Sequence, residues 1–193
     1  MLGREELEAG DIAGSQELAV CFVDLVGFTR LGAQIEGEEL GSVAERLAEL
    51  AAAVTEPPVR LIKTIGDAAM FVSHEPGPLV RVALALVEGA EEQELPSVRA
   101  GVACGAAYQR AGDYYGHSVN LASRVTGSPS SVLCTSEVRA ATGDEGVAWS
   151  SAGRHRLKGI SGQPTLYRAR RPDEHGNGPK RRREGRSRRR GQS

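Results

Sequence analysis

The stretch 60-RLIKTIGDAAMF-71 decides how this chain folds. Two short apolar runs flank Gly66-Asp67, and a glycine beside an aspartate between such runs marks a two-residue hairpin loop. Lys63 stands where a core-facing strand would ordinarily carry another Val or Ile. The hairpin thus holds two charges, Lys63 and Asp67, that its own folding does not require.

Upstream, 17-ELAVCFVDL-25 has apolar residues on both parities from Leu18 to Val23. That is the mark of a central strand covered on both faces. Leu40, Val43, Leu47, Leu50 and Val54 then recur at helical spacing until Pro57-Pro58 stops the helix. Downstream, residues 77–92 read as a second amphipathic helix, and 98-VRAGVACGAAY-108 as a strand. A helix over about 116–125 follows, with short strands near 132–134, 148–150, 154–157 and 165–169. Strand, helix, hairpin, helix, strand is the order of a ferredoxin-like βαββαβ sandwich. The expected fold class is α+β, with a mostly antiparallel sheet and helices on one face.

At 193 residues with 40% hydrophobic content, one core is expected. The net charge of −1 hides an asymmetry, because 179-PKRRREGRSRRRGQS-193 carries eight Lys/Arg against Glu184. An acidic body with a basic terminus divides into a linker over 1–16, a folded domain over 17–171 and a disordered basic tail over 172–193. Cys21, Cys104 and Cys134 lie far apart with no paired spacing, which argues against a disulfide framework and a zinc site and points to a reducing compartment. The longest aliphatic run, 79-LVRVALALV-87, is too short to span a bilayer, so a cytoplasmic location is expected. The acidic body shows no basic, aromatic-studded face, and no specific nucleic-acid partner is expected. The tail is a solvated terminus or a weak binder of polyanions.

Asp24 ends the most apolar strand of the chain. An ionised carboxylate there needs a positive partner, or it caps the helix that follows. The turn after it offers backbone N–H groups around Val26, Gly27 and Phe28 that suit phosphate oxygens. Asp67 is a plain turn aspartate or a second carboxylate beside Asp24. If the two strands are neighbours, the pair can bridge two Mg²⁺ ions. Lys63 either snorkels to the surface or offers its ammonium to a ligand. In 112-GDYYGHSVNLASRV-125, Asn120 and Arg124 share one helix face, as a solvated surface or as donors to phosphate and ribose. Asp113, beside two tyrosines, is one more turn residue or part of the same site.

Together, 22-FVDLVGFT-29, 63-KTIGDAAM-70, 113-DYYGHSVNLASR-124 and the late 157-LKGI-160 with 166-LYRA-169 resemble the catalytic domain of the class III nucleotidyl cyclases, the bacterial adenylate cyclases in particular. The resemblance covers residues 17–171. It implies that Asp24, Asp67 and Leu25 hold two Mg²⁺ or Mn²⁺ ions, and that Val26, Gly27, Phe28 and Thr29 lie against the substrate. It implies that Lys63 and Asp113 select adenine, that Asn120 orients the ribose and that Arg124 stabilises the transition state. Lys158 is a further phosphate contact or a strand-end charge, and Ala106 stands where mammalian relatives carry a phosphate-binding arginine. ATP would be cyclised to 3′,5′-cyclic AMP and pyrophosphate at the interface of a homodimer. The alternative is a weakly active or regulatory nucleotide-binding module. Family members are usually fused to regulatory domains, so a separate or missing one is expected.

Adenine presents N1 as acceptor and N6 as donor, which matches a lysine that only donates and an aspartate that only accepts. Guanine reverses both edges, and each mispaired buried group costs about 1–3 kcal/mol.

Overall fold

Strand β1, Ser15–Leu25, alternates between two apolar environments and so lies in the middle of the sheet. Ala19, Cys21, Val23 and Leu25 enter one core cluster, while Leu18 and Val20 enter another on the opposite face. These positions belong to a computed structural model that describes residues 14–127, 132–144 and 146–172. Of the linker expected over 1–16, residues 1–13 lie outside the described residues while Ser15 and Gln16 already belong to β1, and of the tail expected over 172–193 all but the first residue lie outside them.

After β1 come the short helix α1 (Phe28–Leu31), α2 (Gly37–Ala53), β2 (Arg60–Ile65), β3 (Ala68–Ser73), α3 (Pro76–Glu92) and β4 (Val98–Arg110). This is the expected βαββαβ unit. The chain continues with β5 (Asp113–Tyr115), α4 (His117–Thr126), β6 (Val132–Thr135), α5 (Ser136–Thr142), β7 (Ala148–Arg154) and β8 (Thr165–Arg170). The strands form one sheet in the order β2-β3-β1-β4-β6-β8-β7, with β5 paired to β4. The ladders are antiparallel except between β4 and β6.

Two expectations need correcting. The helices do not all share one face. Leu47 and Leu50 of α2, Leu79 and Leu86 of α3 and Val138 of α5 pack into the first cluster, but Leu121, Ala122 and Val125 of α4 pack into the second. A helical apolar stripe says which side of a helix is buried, not which face of the sheet buries it. The strand expected over 154–157 is also absent: β7 ends at Arg154, and Leu157 opens a turn in which Ile160 N–H donates to its carbonyl at 3.2 Å.

Helix α4 lies directly on β4. A Cβ added at Gly101 would fall 2.2 Å from the Thr126 backbone nitrogen and 2.5 Å from the Ala122 carbonyl oxygen, so only glycine admits this approach. Thr126 secures the contact, its hydroxyl donating to the carbonyls of Ala122 at 2.9 Å or Phe22 at 3.1 Å.

Candidate active site

The hairpin forms as its sequence suggests. Gly66 takes a positive φ of 55°, and Ile65 pairs with Ala68 across the two-residue loop. Strand β2 then departs from regular pairing. Leu61 lies opposite Phe71, but Lys63 lies opposite Met70, so Ile62 is the extra residue of a β-bulge. Phe71 belongs to the cluster under α2 and α3, whereas Met70 belongs to the cluster on the α4 face. In a regular strand Lys63 would share the face of Leu61. The bulge turns it to the α4 face instead.

On that face Lys63 forms an ion pair with Asp113, the first residue of β5. The two side chains are 32% and 31% exposed, open enough for a ligand to reach either one. Asp113 also accepts the Tyr114 N–H at 2.8 Å. The Lys63 ammonium, followed by that N–H, holds its carboxyl below the usual carboxylate range. Three residues earlier on β2, Arg60 donates to the Tyr114 hydroxyl, with its guanidinium carbon 5.8 Å from the ring centroid. Tyr108 and Tyr115 stack across the β4–β5 ladder at 5.7 Å. The hairpin that carries Asp113 is therefore braced against β2 by two adjacent side-chain contacts.

Asp24 lies opposite Ala68, the residue after Asp67, and Leu25 N–H donates to the Asp67 carbonyl at 3.1 Å. The two carboxylates thus meet at one end of β1. Burial pushes the Asp67 carboxyl above its usual range, and the charge of Asp24 pushes it further. Across the other ladder Asp24 faces Arg99. The guanidinium donates to both carboxylate oxygens, from Nε at 2.6 Å and from a terminal nitrogen at 3.0 Å. Arg99 is the positive partner that Asp24 requires. Sequence reading missed it, although the antiparallel register of β1 and β4 would have exposed it.

Val26 N–H is already committed to the Ser97 carbonyl at 2.7 Å, which removes it from the expected phosphate cradle. Gly27, with φ 80°, and the first residues of α1, Phe28 and Thr29, make no such backbone commitment among the described residues. Asn120 and Arg124 are exposed on the outer side of α4, and their side chains have no hydrogen-bonding partner among the described residues. Lys158 is exposed in a turn rather than at a strand end. No hydrogen bond or ion pair joins the Asp24–Asp67–Arg99 group to the Lys63–Asp113 pair among the described residues.

The sequence profile of the adenylate and guanylate cyclase catalytic domain matches residues 11–169. The chain belongs to this class III cyclase family. A pH-sensitive adenylate cyclase of Mycobacterium tuberculosis is 48% identical over 184 residues, which is 89% of this chain and 46% of that protein. An adenylate cyclase of Streptomyces griseus is 43% identical over 109 residues, 55% of this chain and 27% of that protein. The chain spans less than half the length of these curated relatives. Among solved cyclases, an adenylyl cyclase of P. aeruginosa superposes with a TM-score of 0.66 at 20% identity, covering 80% of this chain and 95% of that one. The catalytic core of a rhodopsin-guanylyl cyclase with converted specificity, solved with ATPαS, gives 0.71 at 20% identity, with 81% and 98% covered. Both likenesses establish the cyclase fold. No helix among the described residues is long and apolar enough to cross a membrane.

Proposed function

We propose that the chain is an adenylate cyclase domain that forms 3′,5′-cyclic AMP and pyrophosphate from ATP in the cytoplasm, as a homodimer with two composite sites. The observation that carries this reading is the meeting of Lys63 and Asp113, fifty positions apart, in one accessible ion pair. An ammonium has three donors and a carboxylate about four acceptor positions. Their mutual bond therefore leaves Lys63 able to donate to adenine N1 and Asp113 able to accept from N6.

The donor set at the end of β1 fits hard divalent cations. Two carboxylates converge there, and burial, with the charge of Asp24 added to it, makes Asp67 harder to ionise, a penalty that a Mg²⁺ or Mn²⁺ ion would relieve. Asp24 and Asp67 would hold the ions, with Leu25 beside them. Bound there, the cations would acidify the ribose 3′-hydroxyl and neutralise the triphosphate. Asn120 orients the ribose by hydrogen bonding. Arg124 meets the charge that develops as the 3′-oxygen attacks the α-phosphorus, where electrostatic stabilisation contributes most. Both side chains lie uncommitted on the surface of α4, as groups awaiting a ligand from outside their own chain would. Gly27, Phe28 and Thr29 supply backbone N–H groups towards phosphate, and Lys158 a further charge.

Because no hydrogen bond or ion pair joins the carboxylate pair to the adenine-reading pair among the described residues, we assign them to opposite halves of a two-fold dimer. Incubating the purified protein with ATP or GTP and Mg²⁺ or Mn²⁺, and identifying the product, tests the activity. Cyclic AMP from ATP is expected, and a protein that cyclises neither nucleotide sinks the reading.

A further inference from the structure

Arg99 has no part in the reaction proposed above, yet it engages both carboxylate oxygens of Asp24. The two residues sit opposite each other on adjacent antiparallel strands. Nε reaches one carboxylate oxygen at 2.6 Å and a terminal nitrogen reaches the other at 3.0 Å. The side chains are 29% and 27% exposed, so most of the pair is shielded from water. Forked guanidinium–carboxylate pairs are among the stronger charge-assisted contacts. Asp67 also lies within electrostatic reach of the same guanidinium.

We infer that Arg99 is a resident counter-ion of the cation site: it holds Asp24 when no metal is bound and competes with a divalent ion for the same carboxylate oxygens. This rests on the reading of Asp24 and Asp67 as cation ligands. Two consequences follow. The cation-free chain is relieved of repulsion between two neighbouring carboxylates, so it is stable without metal. Its cation affinity is lowered in proportion to the fraction of time that Asp24 is held by the guanidinium. A brace that merely aimed Asp24 at a cation would act in the opposite direction, because its loss would weaken binding.

Mn²⁺ alone is the probe, with free Mn²⁺ followed by electron paramagnetic resonance during titration of the intact protein. Arg99→Gln should bind Mn²⁺ about tenfold more tightly than wild type. Its thermal midpoint should fall in EDTA and be largely restored by Mn²⁺. Arg99→Lys, which keeps the charge but loses the fork, should fall between the two, and it carries the measurement if Arg99→Gln does not fold. Unchanged or weaker Mn²⁺ binding in these variants overturns the inference while leaving the site reading intact. If wild type shows no Mn²⁺ binding that Asp24→Asn and Asp67→Asn remove, the cation site itself fails and the inference fails with it.

Discussion

Arg60 and Lys63 are three positions apart on β2 yet face the same side of the sheet, and they contact consecutive residues, Tyr114 and Asp113. Strict alternation would put them on opposite faces. Ile62 supplies the extra step, so that Arg60 pairs with Val72 and Lys63 with Met70, both in the core cluster on the α4 face.

The bulge makes a directional prediction. Deleting Ile62 leaves a regular ladder with Arg60 and Lys63 still on the α4 face, so the preference for ATP over GTP should persist at reduced stability. Inserting alanine between Lys63 and Thr64 should move Lys63 opposite Phe71, among apolar groups with no acceptor. ATP turnover should then drop at least about a hundredfold, the range expected when a base-reading contact is lost. Equal activity in the two variants would detach Lys63 from substrate recognition.

Base selection can be tested by reversing its polarity. Lys63→Glu combined with Asp113→Cys removes the donor for N1 and the acceptor for N6. ATP kcat/KM should fall by roughly two to four orders of magnitude, given about 1–3 kcal/mol for each mispaired group. The ratio of ATP to GTP turnover is the readout. An unchanged ratio means that these residues do not read the purine.

Asp67 sets function against stability. Its carboxyl is raised above the ordinary range by burial and by Asp24. A raised carboxyl favours the folded state only while protonated, so its contribution is present below the unfolded-chain value near 3.8 and is lost as pH rises through the folded value. In EDTA at neutral pH, Asp67→Asn should therefore raise the thermal midpoint by about 1–3 °C. That gain should shrink on acidification. Cyclase activity should vanish in the same variant, and a variant that is both less stable and fully active contradicts the assignment on both counts.

Subunit mixing tests the composite site. Asp24→Ala and Arg124→Ala homodimers should each be nearly inactive. In a mixed dimer one site collects both defects and the other is intact. With random exchange, recovered activity should approach about a quarter of wild type as a ceiling. Folded, exchanging subunits that recover nothing would place the whole site within one chain.

Gly101→Ala concerns the platform beneath the site. Its methyl group would collide with backbone atoms of α4 at 2.2 and 2.5 Å, and backbone cannot yield as a flexible side chain can. A loss of at least about 1–3 kcal/mol is expected by denaturant melt, from overpacking.

Much of this arrangement was legible in the sequence because it follows from local chemistry. The two-parity apolar run of β1, the Gly66-Asp67 loop and the helical spacing of Asn120 and Arg124 each need only their own segment. What was not legible depends on register between distant segments. The bulge at Ile62 is a property of β2 against β3, and apolar pattern alone does not reveal it. Arg99 meets Asp24 across seventy-five positions, through the pairing of β1 with β4. The face taken by α4 follows from the glycine at 101, whose role appears only once a helix lies over it. The commitment of Val26 N–H to Ser97 likewise required the two loops to be placed side by side.

The close seating of α4 on β4 has a mechanical meaning. With no side chain at Gly101 to act as a cushion, and with Thr126 tied to the backbone, the helix cannot slide along the strand without breaking its seat. Asn120 and Arg124 thus travel with β4 as one stiff block. In the proposed dimer, opening and closing around a nucleotide would come from rotation of whole subunits or from flexing of the Gly66-Asp67 tip, and the hinge would lie outside the helix that carries Arg124.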